Sequence, residues 1–359
     1  MSVSKRSFQL VAWSSLAIFL LVSIACNNKG SGSGSVTLQG AGATFPAPLY
    51  QKWLSEYGNL HPNLKMDYQS IGSGGGIKQI KEQTVDFGAS DSPMSDEDLK
   101  SAPGEIVHVP TVLGAVVITY NLEGMKQPLR FSPEVIADIF LGKIKKWNDP
   151  KIAADNAGVT LPANDITVVH RSDGSGTSAV FTDYLSKVSA EWKEKVGAGV
   201  SPSWPTGIGG KGNEGVTGQV KNTPNTIGYV ELAYAAKNKL PVAHIKNAAG
   251  SFIEPTIDAV TAAAAASVAN MPDDLRISIT NAQGAQAYPI SSYTYILVYK
   301  KQKDAAKGKA IVDFLWWGID DGENFAKELL YAPLPADVVK KAEAKINSVT
   351  ANGAALRTS

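Results

Sequence analysis

Apolar and polar residues alternate over Val36-Thr37-Leu38-Gln39, which predicts a strand feeding the run Gly40-Ala41-Gly42-Ala43-Thr44-Phe45-Pro46. The spacing then turns helical. Leu49, Trp53, Leu54 and Tyr57 share one face of a helix predicted over Pro46 to Tyr57, with Pro46 at the start, where proline is tolerated. The same succession returns. Lys65 to Ile71 alternates and runs into Gly72-Ser73-Gly74-Gly75-Gly76, and Gly76 to Gln83 reads as a short helix with Ile77 and Ile80 inward. Val85 to Ser90 reads as a strand that ends at Asp91. Repeated strand, loop and helix imply a parallel sheet with helices on both faces, and such sheets bind ligands at the carboxyl ends of their strands.

Ile106 to Val109 and Ala115 to Tyr120 read as further strands, and Ser132 to Leu141 and the segment after it as helical. Ile166 to His170 is a predicted strand. It delivers a third polar run, Arg171-Ser172-Asp173-Gly174-Ser175-Gly176-Thr177, ahead of a helix over Ser178 to Val188. Ile227 to Val230 and Thr294 to Tyr299 are apolar enough for strands, and Ala259 to Ala269 is an alanine-rich helix. Helices over Lys309 to Trp317, Gly322 to Leu330 and Pro335 to Asn347 close the chain. No fixed period runs through it, which excludes a solenoid.

Each polar run opens onto a helix start, where backbone N–H groups lack partners and carry partial positive charge. Glycine lets a ligand approach that backbone, and Thr44, Ser73, Ser175 and Thr177 add hydroxyls. One such hydroxyl is an ordinary N-cap. Three glycine-rich runs plus one arginine point to a single small, highly charged oxyanion held mostly by dipoles. Asp173 can pair with Arg171 and fix its fork. Asp91 makes sense only beside an oxyanion that carries a proton. Gly210-Lys211-Gly212-Asn213-Glu214-Gly215 matches the dinucleotide fingerprint as a string, but Trp204-Pro205 stands where a strand belongs, so the stretch reads as a loop. No P-loop and no Gly-x-Ser-x-Gly elbow occurs. The four histidines, His61, His108, His170 and His244, lack metal-site spacing, and His170 is expected on the face of its strand away from Arg171. Trp316-Trp317 reads as packing.

With 359 residues the chain is too long for one ordinary core and suits two lobes. A formal net charge of +1 argues against a nucleic-acid partner. Residues 1–25 read as a signal peptide: Lys5 and Arg6 precede an apolar core from Leu10 to Ile24, too short to span a membrane comfortably. Cys26, the single cysteine, follows Ala25 as in a bacterial lipoprotein signal, although Ser23 stands where leucine is usual. Residues 26–35 form a Gly/Ser-rich tether.

Taken together, Gly40–Pro48, Gly72–Ile80, Thr84–Asp91, Leu141–Trp147, Arg171–Ser178, Gly209–Asn213 and Ile227–Glu231 closely resemble the phosphate-binding component of bacterial phosphate ABC transporters. The resemblance covers nearly everything after the tether; Gly74 departs from it, standing where a second serine is common. It implies an α/β, two-lobed periplasmic binding protein fold, with two mixed or parallel sheets, helices on both faces and a hinge. Residues 36–112 and 288–359 would form one lobe and 113–287 the other. Inorganic phosphate would be held by Thr44, Phe45 (through its backbone), Ser73, Asp91, Arg171, Ser175, Gly176 and Thr177, with Asp173 orienting Arg171. The resemblance implies no catalysis, metal or cofactor. Its partners would be permease subunits in the inner membrane, the lipid anchor would hold a monomer at the membrane, and the place of action would be the periplasm or cell surface. The alternative from another class is a secreted phosphoryl-transfer or phosphatase enzyme using the same pocket.

Overall fold

The computed structural model describes residues 35–125 and 127–357. The predicted leader, Cys26 and all but the last residue of the tether lie outside them. Strands β1 (Val36–Gly42), β2 (Leu64–Ser70) and β3 (Phe87–Ser90) pair in parallel, with β1 in the middle. Helices α1 (Ala47–Leu60) and α2 (Ser73–Lys81) follow β1 and β2, so the first two glycine runs lie at strand ends as the pattern predicts. Helix α1 buries Leu49, Tyr50, Trp53 and Tyr57. Trp53 meets Phe314 and Trp317 edge-on and donates from Nε1 to the Gly322 carbonyl at 2.8 Å, so Trp317 packs the core as expected.

Where the sequence suggests two strands there is one, β4 (Ile106–Asn121), 16 residues long. Pro110 lies between the two expected pieces and has no N–H for a ladder. The pairing absorbs it with a register shift: Pro110 faces Tyr295, Val112 faces Thr294, and Thr111 is the extra residue. Thr111 Oγ1 is not left idle; it donates to the Thr294 carbonyl at 3.2 Å. The strand order is β2, β1, β3, Ser291–Tyr299, β4, Thr226–Glu231, Thr167–Arg171, Ile208–Gly210. The two expected sheets are thus two halves joined on β4, which pairs with Ser291–Tyr299 along its first part and with Thr226–Glu231 along its last. Residues 287–291 cross between the halves beside β4: Val116 N donates to the Ile290 carbonyl at 2.8 Å, and Tyr288 Oη to the Val116 carbonyl at 3.1 Å.

Two local expectations are corrected. Residues 141–149 are not helical but hold two turns and a bridge from Lys146 to Asp165; Gly142, at φ 71°, stops the Pro133–Phe140 helix, and the next begins at Pro150. The glycine string near Lys211 is no loop. It is a three-residue edge strand, Ile208–Gly210, leading into the helix Gly212–Asn222.

Gly76 lets α2 sit directly on the strand ends. A Cβ there would lie 2.6 Å from Gly42 Cα, 2.7 Å from the Ala41 carbonyl oxygen and 2.8 Å from that of Ala89. These are backbone atoms and cannot rotate away. Gly76→Ala should therefore cost about 1–3 kcal/mol of stability, read from urea denaturation. An unchanged midpoint would mean that α2 does not depend on this contact.

Candidate functional site

Helix α2 opens from Gly72, whose φ of 89° lies in the left-handed region, and a Cβ on Gly72 would come within 2.5 Å of Asp173 Oδ2 and the Gly174 carbonyl oxygen. Gly74 N donates to the Gly174 carbonyl at 2.9 Å. The second and third runs, from opposite halves of the sheet, therefore touch. The helix Gly176–Val188 begins on Ser175, whose Oγ caps it by accepting from Ser178 N at 2.9 Å. A Cβ on Gly176 would collide with Ser73 Oγ and lie 2.6 Å from Asp91 Oδ2, so only glycine allows this approach. Thr44 joins from the first run: its Oγ1 accepts from Asn213 Nδ2 at 2.8 Å, and the same nitrogen donates to Thr177 Oγ1 at 3.1 Å. Phe45 offers only its backbone, since its ring packs near Tyr331 and against Gly114. Thr44, Phe45, Ser73, Asp91, Arg171, Ser175, Gly176 and Thr177 thus form one buried cluster.

Arg171 is 3% exposed and grips Asp173 twice, from Nε to Oδ1 at 2.8 Å and from Nη2 to Oδ2 at 2.5 Å. Its Nη1 donates to Thr177 Oγ1 at 3.3 Å. A guanidinium has five N–H groups, so two remain for a ligand. Burial works against charge on Asp173, but the Arg171 hydrogen bonds and charge, with Gly212 N at 3.0 Å, hold its carboxyl below the ordinary value. The expected pairing is present. His170 lies outside the cluster, stacked on Trp204 with ring centroids 5.0 Å apart.

Asp91 brings a carboxyl to the cluster. Its Oδ1 takes a hydrogen bond from Thr294 Oγ1 at 2.9 Å, whereas its buried Oδ2 has no partner. Burial pushes the carboxyl up to about 7, against the opposing pull of Thr294, Arg171, Ser73 and Thr177. A second buried carboxyl, Glu231, caps the helix Leu232–Lys237 through Ala233 N at 2.8 Å. Burial, with some repulsion from Asp91, raises it well above the ordinary range.

Asn213 escapes the sequence reading because the stretch carrying it reads as a loop. The glycine string ahead of a helix was the available signal; the strand before it is too short to show a period. Thr294 carried no signal at all, being 203 positions from Asp91.

The family model described as the PBP superfamily domain matches residues 27–321. The phosphate-binding protein PstS of Xylella fastidiosa (strain 9a5c) is 48% identical over 311 residues, covering 86% of this chain and 85% of that protein. Its counterpart in Pasteurella multocida (strain Pm70) is 48% identical over 310 residues, covering 86% and 89%. The chain belongs to the PBP superfamily, in the PstS family. Among solved structures, a high-affinity periplasmic phosphate-binding protein bound with phosphate matches with a TM-score of 0.68 at 22% identity, covering 86% of this chain and 93% of that one. At that identity the likeness speaks for the fold, which is the two-lobed α/β fold of periplasmic binding proteins.

Asp91 gives this PstS-family chain a distinct pH signature. Its carboxyl rises from 3.8 to about 7 on folding, so the folded protein holds the proton more tightly than the unfolded chain. That contribution to stability is full below 3.8 and is lost as pH rises through about 7. His108, depressed to about 4 by burial, acts in the opposite sense, and Glu323, raised to about 7, acts in the same sense as Asp91. The comparison with Asp91→Asn cancels both; Glu231, raised in part by Asp91, is relieved in the variant, so the difference reads the two carboxyls together. Between about pH 5 and pH 8 the melting temperature of ligand-free wild type should fall relative to that of Asp91→Asn. Parallel curves would place the titration of Asp91 elsewhere.

Proposed function

We propose that the chain is an extracytoplasmic receptor that binds inorganic phosphate between its lobes and delivers it to an ABC-type importer. The observation that carries this is the buried cluster itself, which gathers helix starts from both halves, an arginine with two N–H groups to spare and one unpartnered acceptor, Asp91 Oδ2. Asp173 already neutralises Arg171, so a bound anion would be balanced by helix-start dipoles and hydroxyls. Near neutral pH phosphate keeps a proton for Asp91, and sulfate has none. We assign the eight clustered residues to phosphate and Asp173 to orienting Arg171, with the lobes divided into 36–112 plus 288–359 and 113–287. The relatives are named as binding proteins and not enzymes, and we read this chain likewise, acting as a monomer.

Isothermal titration tests the ligand. Wild type should bind phosphate and ignore sulfate at alkaline pH. As pH falls below about 7 Asp91 gains its own proton and can donate to an unprotonated oxyanion, so sulfate should begin to compete. Arg171→Ala should weaken phosphate binding by about 2–5 kcal/mol, and Arg171→Lys should recover little of it, because an ammonium cannot reproduce the fork. Equal affinity for sulfate and phosphate at alkaline pH would reduce the ligand to a generic oxyanion.

No helix among the described residues is long and apolar enough to cross a membrane. We propose that Cys26 carries lipid and tethers the receptor at the membrane. Mass spectrometry of the native N-terminus should show a lipidated Cys26; an unmodified start downstream of it would overturn the anchor.

A further inference from the structure

Asn213 is fully buried and satisfied at every polar atom. Its Oδ1 accepts from Glu231 N at 2.9 Å, which fixes the orientation of the amide. Its two Nδ2 protons then go to Thr44 Oγ1 and Thr177 Oγ1, and its backbone N–H also points at Thr44 Oγ1, at 3.2 Å. A hydroxyl has two acceptor positions and one proton. Thr44 receives two hydrogen bonds from Asn213; Thr177 receives one from Asn213 and one from Arg171 Nη1. Both hydroxyls have their acceptor positions filled, and each can only donate.

We propose that Asn213 is a positioning residue that locks Thr44 and Thr177, one from each half of the protein, as obligate proton donors toward the ligand. The proposal rests on the phosphate-binding reading and deepens it. Two fixed donors demand bare oxygens, while Asp91 Oδ2 demands a protonated one. Asn213 therefore helps set how many protons a bound oxyanion carries. Because the lock needs threonines from both halves, it is complete only when the lobes are closed.

The test is a mutant cycle read by phosphate titration. Asn213→Asp keeps the shape and the acceptor for Glu231 N but puts an oxygen in place of Nδ2, so both threonines turn their protons away from the ligand. Hydrogen bonds to charged groups are each worth roughly a 10- to 100-fold factor. Asn213→Asp should therefore weaken phosphate binding by at least about 100-fold in the wild-type background. In a Thr44→Val/Thr177→Val background only the repulsion of the new charge remains, and the factor should shrink to about 10-fold or less. Thr44→Ser/Thr177→Ser keeps both hydroxyls and should restore the full factor. If Asn213→Asp does not fold, Asn213→Ala takes its place, with a smaller factor that must again vanish in the valine background. The same factor in the valine and serine backgrounds would overturn the role of Asn213 alone. Failure of unaltered protein to bind phosphate would overturn the functional reading beneath it.

Discussion

The site is organised around a positive charge taken out of water. Arg171 is buried, and an unpaired ion there would cost several kcal/mol. Asp173 offsets that cost through two hydrogen bonds, and Asp173 is in turn held by Gly212 N and packed against Gly72. Compensating one guanidinium thus draws together the second and third glycine runs and the start of the Gly212–Asn222 helix. It also leaves the pair without net charge. An anion bound beside that pair would meet the partial charges of helix starts and the hydroxyls around them.

Contacts between the halves at this point are small and polar. Gly74 N meets the Gly174 carbonyl, Tyr234 Oη donates to the Thr44 carbonyl at 2.6 Å, and Asn213 bridges two threonines. Each is worth about 0.5–1.5 kcal/mol net, which ordering the two surfaces readily offsets. The halves share the continuous strand β4 and the crossing segment that enters its antiparallel neighbour Ser291–Tyr299. A ligand that satisfied donors from both sides at once would add interaction energy across this boundary.

Much of this was legible before any coordinates. The runs around Thr44, Ser73 and Ser175 combine glycine with a hydroxyl at a change from strand to helix period; each alone reads as a turn or a cap, and only the three together with Arg171 point to a site. Arg171 and Asp173 are two positions apart, so their pairing was a local inference. What stayed hidden depends on distance along the chain or on brevity. The edge strand Ile208–Gly210 is too short to show alternation, so Asn213 was not placed. Pro110 looks like a break in β4 because a bulge at Thr111 cannot be read from one strand alone. Thr294 and Glu231 acquire their meaning only from neighbours far away in sequence.

A strongly basic pocket would draw many anions and distinguish them poorly, because Coulomb attraction counts charge and little else. Here Asp173 offsets the charge of Arg171, and on the proposed reading discrimination would rest on hydrogen-bond direction. A donor facing a donor, or an acceptor facing an acceptor, inside a closed site leaves buried polar groups unpaired, a larger penalty than a modest loss of attraction. Asp91 would supply the acceptor and, being raised to about 7 by burial, titrates in the range where phosphate itself changes protonation. The carboxylate at the heart of an anion site is therefore not a defect in the charge balance. On the proposed reading it is the element that would make the site sensitive to the protons on its ligand.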